Sequence, residues 1–362
     1  FFFFLSPPTN ASILAIQPVM PGAAPPSVGR ELLRVGARVS IAESALAAVV
    51  APALLLVLLD APLRDWLLWN AACQLAVFVP VVALVLATGH MAYVDLGWPL
   101  GLVVMAVNVA QGGAGYAPRR WAAAVCLGLH GGRMLVGALV LFFPYRWRED
   151  LPRYRYAKVR WTQAGLPAGW WPVKMLHDVL QQALANAVHL AAPMVLLAAD
   201  ASPHIAALEW AGLVGWVASW VLESTADVQK LRFMQAKPPR DAVVGWGAYA
   251  GPEYWLWTRS RHPNYFFEWT AWVSWCVAAV PSLVRAPVGW PAQLVLALIL
   301  GFAVRLFYDC LLFWTGAEPA EYWSARTRPA YAEYQRTTRV FWPIEVPLLD
   351  HARRPNWWIQ HA

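Results

Sequence analysis

Acids, guanidinium groups and a histidine crowd into one short reach of this chain. Glu223 and Asp227 are four residues apart, so a helix sets both carboxylates on one face. Lys230 and Arg232 follow within the next turns. After a basic stretch rich in Pro and Gly comes Trp257-Thr258-Arg259-Ser260-Arg261-His262-Pro263-Asn264-Tyr265, and then Glu268. Arg259, Arg261 and His262 gather positive charge just ahead of Pro263, a residue suited to the first turn of a helix. Arginines beside a helix N-terminus make an anion site, and the carboxylates can accept from hydroxyls or amides. The combination predicts a pocket for a ligand carrying phosphates and a ribose or a carboxamide. The alternative reading of the same arginines is that they snorkel toward anionic lipid head groups.

The elements that must hold these groups are membrane helices. Of 362 residues, 59% are apolar and 14% charged, against a usual ~45–50% and ~25%. So few charges cannot cover a water-soluble domain of this size, and 23 tryptophans exclude a disordered chain. A span needs ~20 mostly apolar residues, and eight stretches qualify: 41–59, 66–88, 93–110, 120–143, 175–199, 205–222, 265–283 and 290–314. The expected fold is therefore all-α, a polytopic membrane bundle of seven to eight transmembrane helices. With eight spans, 22 of the 28 Lys and Arg residues fall on one side and four on the other. That asymmetry puts both termini and the Glu223–Asn264 region in the cytoplasm. Residues 1–28 carry no charge and are rich in Pro and Ala, so 1–38 are expected to be a disordered leader followed by a basic N-terminal segment with Arg30, Arg34 and Arg38. The membrane domain then runs from 39 to 345, its ligand-binding half from about 205, and a cytoplasmic tail covers 346–362.

Cys73, Cys126, Cys276 and Cys310 stand singly in apolar stretches, which supports neither a disulfide framework nor a zinc site. Inside the spans, Gln182, Asn186 and His189 form a helical stripe, read mainly as interhelical glue and otherwise as a cavity wall. Arg305 and Asp309 are spaced to pair, and Arg133 stands three residues after His130. The basic residues follow topology and form no single patch, which argues against nucleic acid as a partner.

The order of residue types from Glu223 to Glu268 resembles the C-terminal region of the steroid 5-alpha reductase-like membrane reductases. In that family an acidic, Asp-x-Gln-Lys segment precedes a Ser-Arg-His-Pro-Asn-Tyr-Phe-Gly-Glu signature. Here the matches are Glu223, Asp227, Gln229 and Lys230, then Ser260 through Phe266 and Glu268. Val94 through Trp98, Arg153-Tyr154 or Arg155-Tyr156 after Glu149-Asp150, and Tyr334-Gln335-Arg336 before Phe341-Trp342-Pro343 extend the likeness over roughly 90–345. Three positions depart from the pattern: Met234 where the family has a basic residue, and Trp255 and Phe267 where it has Gly.

The resemblance implies an NADPH-dependent enzyme that reduces a carbon–carbon double bond conjugated to a carbonyl in a lipid. Carried over by position, Glu223, Asp227, Lys230, Arg261, His262, Asn264, Tyr265 and Glu268 contact the cofactor. Arg232 and Arg259 add charge nearby, and Tyr334 and Arg339 close the pocket from the tail. The developing oxyanion needs a donor placed for the transition state, and Tyr93 and Asp95, at the start of an apolar span, are the candidates. For Asp95 the plainer alternative is a helix-end residue bonded to backbone. Related Arg-His-Pro-x-Tyr patterns occur in membrane sterol reductases and isoprenylcysteine methyltransferases. A lipid methyltransferase using S-adenosylmethionine is therefore the second expectation. A non-catalytic lipid-binding protein of the same fold is the third.

Overall fold

The computed structural model describes residues 50–112, 115–145 and 150–344. The expected leader, the tail beyond 344, residues 41–49 of the first expected span and Glu149 lie outside the described residues. Thirteen α-helices are described: α1 (Ala51–Leu58), α2 (Ala61–Thr88), α3 (Val94–Gln111), α4 (Ala117–Tyr145), α5 (Pro152–Gln163), α6 (Trp171–Leu184), α7 (Ala191–Ala199), α8 (Ala207–Gln235), α9 (Trp255–Arg259), α10 (Pro263–Arg285), α11 (Trp290–Asp309), α12 (Ala317–Thr327) and α13 (Tyr331–Thr337). Among the described residues there is no strand, only an isolated parallel bridge between Ser260 and Arg339. A bundle in lipid has to satisfy its backbone polar groups within each segment, and helices do this.

Five helical stretches are long and apolar enough to cross a membrane: Ala61–Thr88, Met91–Gln111, Ala117–Val140, Ala168–Ala199 and Trp290–Thr327. That composition is a multi-pass membrane protein's, with a smaller count than the eight expected. The sixth and seventh expected spans coincide with α8 and α10, of 29 and 23 residues. Both are long enough, but α8 carries Trp210, Trp216 and Trp220, and α10 carries Trp269, Trp272 and Trp275, along with Ser, Thr and Glu. Tryptophan is amphipathic and lowers the mean hydropathy of a helix that is nonetheless bulky.

α8 and α10 lie against each other along their lengths because small residues let them approach. A Cβ on Gly212 would come within 2.6 Å of Ala278, and the Ser219 and Thr270 hydroxyls bond at 2.9 Å across the contact. Small residues and hydroxyl pairs are the usual means of helix association in lipid. On the other side of the bundle, a Cβ on Gly97 of α3 would meet Val81 of α2 at 2.6 Å. Asn70, Gln74 and Asn108 join Asn186 in a buried amide network: Asn186 Nδ2 donates to Gln74 at 3.3 Å and to the Trp98 carbonyl at 3.1 Å. Asn186 is thus interhelical glue. The fifth expected span is broken by a π turn at Ala185–His189 between α6 and α7. Arg305 and Asp309 pair at 2.8 Å on α11, as their spacing predicts.

Candidate functional site

The second half of α8, the start of α10, the middle of α4 and the start of α3 converge on one buried polar chamber. Helix α8 projects Glu223 and Asp227 inward, both buried. Arg133 reaches them from α4: its guanidinium donates to Asp227 Oδ2 at 2.7 Å and to Glu223. Asn264, in the first turn of α10, donates from Nδ2 to the other Asp227 oxygen at 3.1 Å. Tyr265 follows, buried, with Arg153, Glu268, Asp227 and Asp95 all close enough to act on its phenol electrostatically. Its ring stacks on His262 at 5.4 Å. At the start of α3, Asp95 pairs with Arg153 and accepts the Tyr154 hydroxyl at 2.7 Å, both partners coming from α5.

Four carboxylates and two guanidiniums therefore share this chamber, an excess of acceptors over cations. Several of those acceptors remain open. Among the described residues no donor reaches Glu223 Oε2 or Asn264 Oδ1, although both atoms are buried. An unsatisfied buried polar atom costs about 1–3 kcal/mol, so these atoms suit a ligand that brings hydroxyl or amide N–H groups. One turn beyond Asp227, the buried Lys230 ammonium lies over the Trp257 ring at 5.1 Å and the Phe233 ring at 5.5 Å. Lys230 lies past the apolar stretch 205–222, and burial, aided by Arg328, pushes its ammonium down to about 7. Such a cation gains from an incoming anion.

The remaining expected residues sit elsewhere. Arg261 is buried and committed: it donates to Glu321 at 2.6 and 3.0 Å, and to the Gln335 and Thr338 carbonyls at 2.9 and 2.5 Å. His262 meets Glu321 at 3.0 Å, and Gln335 donates to the same acid at 2.8 Å. Burial pushes the His262 imidazole below its ordinary value against the pull of Glu321, so the neutral ring donates to the carboxylate. Tyr334 donates to the Trp257 carbonyl at 2.6 Å, with its phenol pushed up by burial. The Arg339 carbonyl takes the Arg261 amide at 2.8 Å. Arg261, His262, Tyr334 and Arg339 thus form a lock that pins the C-terminal segment across the end of α10. Arg261 and Tyr334 spend these polar groups on protein partners. Arg232 and Arg259 are exposed, Arg259 lying 5.9 Å from the Trp255 ring.

Asp95 pairs with Arg153 and bonds the Tyr154 hydroxyl, and so orients both. Tyr93 is half-buried in the short 3-10 turn just before α3. The three departures from the family pattern stay out of the chamber's hydrogen bonds. Trp255 is exposed, and Met234 and Phe267 are half-buried in apolar clusters. Arg133, Arg153, Tyr154 and Glu321 belong to the chamber or the lock without having been assigned to a site beforehand. A charge in an apolar span signals function by itself, which was the available sign for Arg133. A buried Arg261 needs an acid, which was the available sign for Glu321.

Among the described residues no group of His, Cys, Asp and Glu has the arrangement of a metal site. No curated protein and no solved structure matches the chain. A family model described as a protein of unknown function, DUF1295, matches residues 81–338, which takes in the chamber and all of the lock but Arg339. The chain therefore belongs to the DUF1295 family.

Proposed function

We propose that the chain is a membrane-embedded reductase that uses NADPH to reduce a conjugated carbon–carbon double bond in a lipid. The observation that carries this reading is the chamber itself. Open acceptors on Glu223 and Asn264 lie at the end of an apolar bundle, with the buried cation of Lys230 two turns beyond Glu223 on α8. The donor set fits a nicotinamide nucleotide: Glu223, Asp227 and Asn264 for carboxamide and ribose, Lys230 for the phosphates, with Arg232 and Arg259 at the exposed rim. Bound there, the reduced nicotinamide supplies a hydride. Arg153 and Tyr265 are then the groups beside which charge builds on the substrate carbonyl, and Asp95 is a positioning residue for Arg153 and Tyr154. We count 207–222 of α8 and 265–283 of α10 as spans, which gives seven among the described residues with the first expected span as an eighth. The chamber then lies on the cytoplasmic side by its basic flanks.

The excess of carboxylates favours one other reading. A sulfonium cation also suits it, so a lipid methyltransferase using S-adenosylmethionine is the alternative. Turnover of a panel of enone lipids, followed by loss of NADPH absorbance in reconstituted vesicles, tests the reductase. Arg153→Met is expected to lower kcat by ~10²–10³, as loss of an oxyanion donor does. Turnover unchanged in Arg153→Met and Asn264→Leu would refute this assignment.

A further inference from the structure

We propose that the opposite end of the bundle carries a second binding site, for an apolar lipid bearing a single hydroxyl. A cavity of about 770 Å³ lies between the start of α2, the end of α7 and the end of α10. That volume is in the ~300–1,000 Å³ range of small-molecule sites. Its walls include Leu63, Trp66, Trp69 and Leu196, and its polar end holds Asp60, Asp200 and Arg285. The indole N–H groups of Trp66 and Trp69 are both spent on Asn108, at 3.3 and 3.2 Å, so these rings add apolar surface to the walls. Trp69 is 62% exposed, as a ring at a membrane interface is.

The polar end is selective because most of it is already satisfied. Asp200 takes the Ser202 amide at 2.9 Å on one oxygen, and Ser282 at 2.8 Å and Arg285 Nε at 2.9 Å on the other. Arg119 ties the same corner to Glu209 at 2.8 Å. Asp60 is different. Its Oδ1 is buried, receives no hydrogen bond among the described residues, and does not cap α2. A carboxylate oxygen in an apolar cavity calls for a donor, and Arg285 on the same wall is already paired with Asp200 and Glu209. A hydroxyl donates to Asp60 and can still accept from a guanidinium. An alcohol therefore fits where an ether, which has no donor, does not.

This site is distinct from the chamber. From Asn264 to Arg285, α10 rises ~31 Å at 1.5 Å per residue, about the thickness of a bilayer's hydrocarbon core. The inference does not rest on the reductase reading. The test is binding of tritiated cholesterol to the full chain in phosphatidylcholine nanodiscs, with competition by oleyl alcohol, cholesteryl methyl ether and oleylamine. Saturable binding is expected, displaced by the alcohol and at least tenfold less well by the ether, while the amine reports whether any donor to Asp60 suffices. Asp60→Leu and Ala199→Phe, which remove the acceptor and fill the cavity, are each expected to weaken it at least tenfold. Ala286→Phe fills the cavity from α10 and provides a second filling variant, with the wild-type elution volume and Tm as the check on folding. Absence of saturable binding, equal competition by the ether, or unchanged affinity in the folded variants would overturn the proposal.

Discussion

Arg133 touches two buried acids of the chamber, and removing it gives a sharp energetic prediction. The Glu223 and Asp227 side chains are 4% and 5% exposed, and that of Arg133 is 19% exposed. Breaking a buried ion pair from one side costs about 3–5 kcal/mol, because the surviving charge is left without a partner. In Arg133→Met two carboxylates are left, although Asp227 keeps its bond from Asn264, so a loss of about 4 kcal/mol is expected. Neutralising them with Glu223→Gln and Asp227→Asn in the same chain removes the stranded charge. Replacing a whole buried cluster by neutral groups of similar volume is close to neutral, so the triple variant is expected to recover at least about 2 kcal/mol. Reversible SDS unfolding in mixed micelles, followed by circular dichroism, measures both. Arg133→Met within about 0.5 kcal/mol of wild type, or a triple variant no more stable than the single, would refute the reasoning.

The lock makes a second prediction: Glu321→Gln should loosen the C-terminal segment and speed trypsin cleavage after Arg326 and Arg336 at least tenfold, with cleavage sites read by mass spectrometry. Lys230 makes a third. Its folded value of about 7 lies below the ordinary 10.5, so the unfolded chain holds more protons between these values. Stability should therefore rise with pH across that window, by at most ~1.4 kcal/mol per unit, and Lys230→Met should flatten the slope. By the same linkage an anion bound near Lys230 at pH 8 should draw a proton from solution, seen as a buffer-dependent binding enthalpy. Arg305→Ala should change stability by no more than ~0.5 kcal/mol, because Arg305 is 52% exposed and exposed pairs contribute little.

Local spacing made much of the chamber legible, and distance along the chain hid the rest. Glu223 and Asp227 announce a shared face by their spacing, and Pro263 announces the start of α10, so their convergence with Asn264 follows from sequence. Arg133 lies 94 residues before Asp227, and nothing local pairs them. Asp95 and Arg153 are likewise joined only when α5 folds back onto the start of α3. Glu321 reads as an ordinary helix charge until the tail crosses α10, and only then does it consume Arg261 and His262. Sequence therefore overvalued the arginines, whose positive charge is visible, and undervalued the acids that neutralise them. The π turn at Ala185–His189 had no sequence sign, since it extends an apolar helix with ordinary residues.

Nucleotide binding tests the central claim most directly. Purified full-length protein is titrated with NADPH, NADH and S-adenosylmethionine by calorimetry, alongside Glu223→Gln and Asn264→Leu. The account predicts saturable NADPH binding that weakens at least tenfold in each variant while Arg259→Ala, at the exposed rim, changes it by less. Adenosylmethionine binding without NADPH binding, or no binding of either nucleotide to folded protein, would contradict it.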